Sequence, residues 1–131
     1  MRQSTATFTT DSWEETTYDE LTVGPKLSRA IVRKTFTGEL ASESQTELPL
    51  SQGTEGEAGY VAVERMAVRV GDRAGGFVLP HLATRGGAEP RTMWLVMPGS
   101  GTGELSGLHG TGVYGHDERG ATFVLDYDFA G

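Results

Sequence analysis

Two residues carry the most usable chemistry in this chain, Glu64 and His81. A carboxylate facing an imidazole can fix which ring nitrogen holds the proton and tune the ring's basicity, as general acid/base catalysis requires. The same pair can equally be a buried hydrogen bond that serves only itself. Ionised Glu64 favours protonated His81 and burial opposes it, so the direction of the histidine's shift depends on how wet the surroundings are.

Two strands must bring this pair together. Tyr60 to Val70 and Gly75 to Thr84 flank Gly71-Asp72-Arg73-Ala74, and a two-residue turn at Asp72-Arg73 opposes residues whose numbers add to 145. That register sets Val68 against Phe77, Met66 against Leu79 and Glu64 against His81 on one face. Arg65, Arg69, Gly76 and Pro80 fall on the other. The first face is the more apolar and is assigned to the interior; a slip of one residue would reverse the assignment.

The remaining pattern is also β. Thr5 to Thr9 alternates threonines with Ala6 and Phe8, whereas the alternation weakens from Trp13 to Asp19. After a turn at Gly24-Pro25, Leu27 to Thr37 reads as a strand that turns at Gly38 into Leu40 to Leu50. A Gly38-Glu39 turn would oppose Lys34 to Glu43 as a surface salt bridge worth ~0–1 kcal/mol. Gln52 to Gly59 reads as a flexible loop. Met93-Trp94-Leu95-Val96-Met97 is apolar on both faces, so its outer face needs cover from the segment around Trp13 or from a second subunit. Gly120 to Phe129 alternates Phe123, Leu125, Tyr127 and Phe129 against Val124, Asp126 and Asp128. With no helical period between these strands, residues 1–131 are expected to form one all-β domain, a sandwich or a barrel.

Other motifs read as structural. Gly110-Thr111-Gly112-Val113-Tyr114-Gly115 has the spacing of a dinucleotide-binding loop, but no helical pattern follows to meet a pyrophosphate, and a β bend is expected instead. Gly99-Ser100-Gly101-Thr102-Gly103 lacks the lysine of a phosphate-binding loop and the frame of a nucleophile elbow. His81, His109 and His116 stand too far apart to suggest a metal site. No cofactor and no metal are expected.

The 19 glycines among 131 residues, roughly twice the usual ~7%, favour tight turns and strands over helices. The chain has no cysteine, which removes disulfides, thiolate zinc sites and cysteine nucleophiles and is compatible with a reducing compartment. A net charge of −7 argues against nucleic-acid backbone binding. The first ten residues are polar and threonine-rich, unlike a secretory signal, and no segment approaches the ~18 apolar residues of a membrane span. A cytoplasmic location without membrane or nucleic-acid partners is the expectation.

Val96-Met97-Pro98-Gly99-Ser100-Gly101-Thr102-Gly103-Glu104-Leu105-Ser106-Gly107-Leu108-His109-Gly110-Thr111-Gly112 resembles the glycine-rich hairpin of allene oxide cyclase and dirigent-type barrels. The whole chain is similar to a bacterial family of small uncharacterised domains assigned to that superfamily. Lys34-Thr35-Phe36-Thr37-Gly38, Glu64-Arg65, Gly76-Phe77-Val78-Leu79, His81, Pro98 to Leu105 and Leu125-Asp126-Tyr127 carry this likeness. It implies a small, mostly antiparallel closed barrel of about eight strands, enough to hold side chains or one small ligand. In the cyclases and dirigent proteins such a pocket guides ring closure or coupling of an unstable apolar molecule. No catalytic residue of those enzymes aligns onto this chain, so none is transferred.

These readings converge on a barrel that binds a small, largely apolar metabolite, with Tyr60, Met66, Phe77, Leu79 and Trp94 as the ligand lining. An isomerase or cyclase would use Glu64 and His81 as proton donor and acceptor. A carrier or sensing protein would use the same pocket without chemistry. A structural assembly subunit would fill its barrel with its own side chains and associate through Met93 to Met97.

Overall fold

The computed structural model describes residues 2–20, 23–86 and 91–130. Among the described residues nine strands follow one another: β1 (Arg2–Asp19), β2 (Lys26–Gly38), β3 (Leu40–Gln52), β4 (Ala58–Val70), β5 (Arg73–Arg85), β6 (Thr92–Leu95), β7 (Thr102–Gly103), β8 (Leu108–Asp117) and β9 (Gly120–Phe129). Among the described residues there is no helix, and none long and apolar enough to cross a membrane. Eight strands pair in the order β1-β2-β3-β4-β5-β6-β8-β9, and β9 returns to β1. The chain is thus an all-β, antiparallel, closed eight-stranded barrel, with the two-residue β7 added beside β5.

Strict alternation drives this arrangement. From Leu40 to Pro49 on β3 and from Val61 to Val70 on β4 every second residue is buried and its neighbours are exposed, the period of a strand with one wet face. The β4–β5 hairpin differs from the sequence reading by two residues: Val70 pairs Arg73, so paired numbers add to 143, and Glu64 lies opposite Leu79 while Ala62 lies opposite His81. The turn residues are Gly71 and Asp72, and Gly71 takes φ +61 at the first of the two, where glycine suits a tight hairpin turn. Because side chains repeat every two residues, this slip leaves every side chain on its expected face.

A one-residue slip has the opposite effect in the β2–β3 hairpin. Lys34 pairs Ser44 and Thr35 pairs Glu43, so no Lys34–Glu43 surface bridge forms and Lys34 turns inward. The corner is held by β1: Glu39 accepts from the Thr5 amide at 3.0 Å and the Thr5 hydroxyl at 2.8 Å. Further along β1, a register shift between Thr10 and Ser12 explains why alternation fades near Trp13. Phe8 faces Phe36 before the bulge and Trp13 faces Val32 after it, so the strand continues with its parity exchanged.

One end of the barrel is shut by the glycine-rich segment. β6 covers only His81 to Ala83 of β5, and residues 99–105 substitute for a ladder partner lower down. Ser100 Oγ accepts from the Val78 amide at 3.0 Å, Thr102 Oγ1 from Gly76 at 3.1 Å and Glu104 Oε1 from Ala74 at 3.1 Å. This seats Leu105, fully buried, in a cluster with Val68, Val70, Phe77 and Leu108. The segment Gly110 to Gly115 is not a bend but part of β8. A Cβ on Gly112 would stand 2.4 Å from the Phe123 ring, so the glycine is needed for that ring to lie against the strand. Trp94 and Val96 enter the core while Met93 and Met97 stay exposed, and Trp13 sits at the far end of the barrel rather than over them.

Candidate functional site

Four neighbouring strands change chemistry at the same height. Reading away from the closed end, the inward series is Phe36, Lys34, Val32 on β2 and Leu40, Ser42, Ser44, Thr46, Leu48 on β3. On β4 it is Met66, Glu64, Ala62, and on β5 it is Phe77, Leu79, His81. A buried polar belt therefore separates the large apolar cluster from a small one made of Ala30, Val32, Leu48 and Ala62.

Glu64, wholly buried, is the hub of this belt. Its Oε1 receives the Lys34 ammonium at 3.3 Å and His81 Nε2 at 3.0 Å, and its Oε2 accepts from the Ser44 hydroxyl. The His81 ring lies flat on Trp94, 3.8 Å between centroids and 3° from parallel. Its Nδ1 is 3.0 Å from the Tyr60 hydroxyl. Lys34 is framed by the Phe8 and Trp94 rings, 5.2 and 5.5 Å from its Nζ.

The electrostatics assign the protons. Burial pushes the Glu64 carboxyl up, but the hydrogen bond from His81, the charge of Lys34 and the Ser44 hydroxyl together hold it below the ordinary carboxylate range. Burial also dominates at His81, lowering it despite Glu64, so the ring is neutral near pH 7. An ionised carboxylate only accepts, so Nε2 donates to Glu64, and the remaining lone pair on Nδ1 accepts from Tyr60. Tyr60 is pushed up to about 12, first by burial and then by the negative charge of Glu64. The result is a continuous chain, Tyr60 to His81 to Glu64, with Lys34 balancing the charge.

Tyr60 also belongs to the open end. A cavity of about 290 Å³ there is lined by Trp13, Leu50, Tyr60, Ala83, Thr84 and Arg85 among others, near the lower limit of small-molecule sites. Of the five residues expected to line a ligand, Tyr60 borders this cavity, Met66, Phe77 and Leu79 are packed core, and Trp94 is buried beneath His81. A larger groove of about 600 Å³ lies on the outer wall, where Arg33, Glu43, Glu47 and Arg65 alternate with Val63, Ala67 and Val78. The buried Thr46 Oγ1 and Trp94 Nε1 have no hydrogen-bond partner among the described residues. Among the described residues no group of three or more His, Cys, Asp or Glu could hold a metal ion.

Sequence reasoning missed Lys34 and Ser44. The signal was present: Val32, Lys34 and Phe36 share one parity, and a lysine between two inward apolar residues needs a buried partner. The misplaced turn at Gly38 concealed it.

Comparison with known proteins places this geometry in a family. No curated protein is detectably similar to the chain. The crystal structure of a protein of unknown function from Shewanella oneidensis superposes with a TM-score of 0.84 at 31% identity, covering 100% of this chain and 99% of that one. That protein is from the DUF3224 family. The model of the same family, described as a protein of unknown function, matches residues 4–129, and the chain belongs to the DUF3224 family.

Proposed function

We propose that the barrel binds a small, largely apolar molecule at its open end and moves a proton on it, the chemistry of an isomerase or cyclase. The observation that carries this reading is the double position of Tyr60, which borders the cavity and ends the buried chain. A ligand proton passes to the tyrosine oxygen as the tyrosine's own proton moves to His81 Nδ1, and ionised Glu64 stabilises the imidazolium. The electron pair left on the ligand delocalises into an adjacent carbonyl. Return of a proton to a different ligand atom restores the chain, with nothing oxidised or reduced. The likeness of the glycine-rich hairpin to allene oxide cyclase and dirigent-type barrels supports an apolar substrate.

Native mass spectrometry of protein from its own cells identifies the copurifying molecule, and incubation in deuterated water then tests the chemistry. Solvent deuterium should enter the molecule with the wild type. With Tyr60→Phe or His81→Ala, incorporation should fall at least ~100-fold while affinity changes only a few-fold.

A second reading, a carrier or sensor, is favoured by the resting hydrogen bonds: both ring nitrogens of His81 and both oxygens of Glu64 are engaged. It expects binding without deuterium incorporation. A structural subunit draws support from the packed closed end and expects no copurifying molecule.

A further inference from the structure

β1 is longer than the barrel it closes. β9 pairs only its first part, from Arg2 to Phe8, and ends there in the β8–β9 turn at Asp117–Gly120. From Asp11 to Asp19, β1 pairs β2 on one side and, among the described residues, no strand on the other. Trp13 shares a cavity with Ala83 and Thr84 of β5, and at that height β5 stays covered: Ala83 pairs Thr92, and the Arg91 carbonyl accepts from the Thr84 amide at 2.8 Å. The opening in the wall thus lies between β1 and β6, beyond the reach of the β8–β9 hairpin.

Alternation identifies the backbone groups that face this opening. The Thr5 carbonyl accepts from the Glu39 amide at 2.9 Å, so Thr5, Thr7 and Thr9 turn their amides and carbonyls to β2. Past the bulge the parity is exchanged: Ser12, Glu14 and Thr16 turn to β2, and Trp13, Glu15 and Thr17 present theirs at the open edge. Three such residues accommodate an added strand of about seven residues. Neither proline nor lysine, two common guards of a free edge, occurs from Thr9 to Asp19. Trp13 is 49% exposed and Tyr18 55%.

We propose that this edge takes up an extended, basic polypeptide segment as an additional strand, in line with β9. Charge selects that occupant. Residues 9–20 include Asp11, Glu14, Glu15, Asp19 and Glu20 and no lysine or arginine. On the outer face, Arg33 and Arg29 of β2 stand opposite Ser12 and Thr16 and flank Glu14. On the inner face, Glu15 lies opposite Ala30, and its carboxylate accepts from Trp13 Nε1 at 2.9 Å without an ion pair among the described residues. A lysine or arginine placed opposite Glu15 meets that carboxylate, and the residue two places along the added strand lies against the Trp13 ring. A second copy fits less well, because pairing two such edges about their middle sets Glu14 against Glu14 or Glu15 against Glu15. The edge lies outside the Tyr60–His81–Glu64 chain, and this inference does not rest on the proton-transfer reading.

Fluorescence anisotropy with a labelled eight-residue peptide of alternating lysine and valine tests the proposal, read beside the circular dichroism of each variant. The wild type should bind it saturably. It should bind at least ~10-fold more weakly a glutamate–valine peptide, and also the lysine–valine peptide methylated on its backbone nitrogens, which keeps the charge but cannot donate. Glu15→Ala and Glu15→Pro separate charge from edge: both remove the carboxylate, but only proline removes an amide from the open edge, a place where strands tolerate it. Alanine should weaken binding a few-fold, and proline at least ~10-fold beyond alanine. Should Glu15→Pro lose the wild-type spectrum, Thr17→Pro, which leaves every carboxylate in place, asks the same question. In the complex, hydrogen exchange should slow most at the Trp13, Glu15 and Thr17 amides. Absence of binding, equal binding of the methylated peptide, or equal binding by the proline and alanine variants overturns the edge. Equal binding of the glutamate–valine peptide overturns the basic occupant, as does a two-chain mass of the free protein that Glu15→Pro reduces to one.

Discussion

The two ends of the barrel interior are built on different principles. The closed end is filled by interchangeable apolar volume: Val68, Val70, Phe77, Leu105 and Leu108 contribute through the area they remove from water. The belt and the open end depend on particular atoms meeting, because Glu64, Lys34, Ser44 and His81 are buried groups that tolerate burial only while each has the others. Stability is concentrated where chemistry is absent, and the groups with usable chemistry lie nearer the open end.

That contrast predicts unequal responses to truncation. Glu64→Ala should have the largest effect, about 3–5 kcal/mol in urea unfolding, because it strands the Lys34 ammonium in a buried site. The double change Lys34→Met with Glu64→Leu should recover most of the loss, since similar-sized apolar side chains need no partner. Equal destabilisation by the single and double variants would mean that the belt is held by something other than this pair. At the closed end, Leu105→Ala should cost about 2–4 kcal/mol through the cavity it leaves, and Leu105→Met less than about 1.5 kcal/mol. If methionine there proves as costly as alanine, the closed end also depends on exact shape.

The smallest effect sharpens the comparison through pH. His81 in the folded chain lies below its ordinary 6.5, so between those values the unfolded chain binds the proton more readily and stability falls as the solution is acidified. Glu64, held below its ordinary 4.5, adds a second loss at lower pH by the same sign. Urea midpoints should therefore be level above about pH 7 and decline in two limbs. His81→Gln should remove the upper limb alone. A wild-type midpoint that does not change between pH 7 and 5.5 contradicts the assignment of a neutral, buried His81.

The barrel was legible in the sequence because most strands alternate strictly, as Met66, Val68, Phe77 and Leu79 illustrate. Glu64 and His81 could be placed together despite a wrong turn because an even slip preserves sidedness. Lys34 was lost to an odd slip at Gly38, and β8 was lost because Gly110, Gly112 and Gly115 leave no side-chain period to read. The open end was the least legible. Its wall depends on where β1 changes parity, which no local composition signals.

That bulge lets β1 absorb one residue of length without changing what it offers the interior. Thr10 pairs Lys34 and Ser12 pairs Arg33, so Asp11 is the residue by which β1 exceeds β2 here. Removing Asp11 would leave Phe8, Thr10, Trp13, Glu15 and Thr17 in unbroken alternation on one face, with Trp13 still opposite Val32. Phe8 and everything behind it would keep their places. A residue gained or lost at this point is taken up by the backbone, so the entrance keeps its lining through a change of one codon.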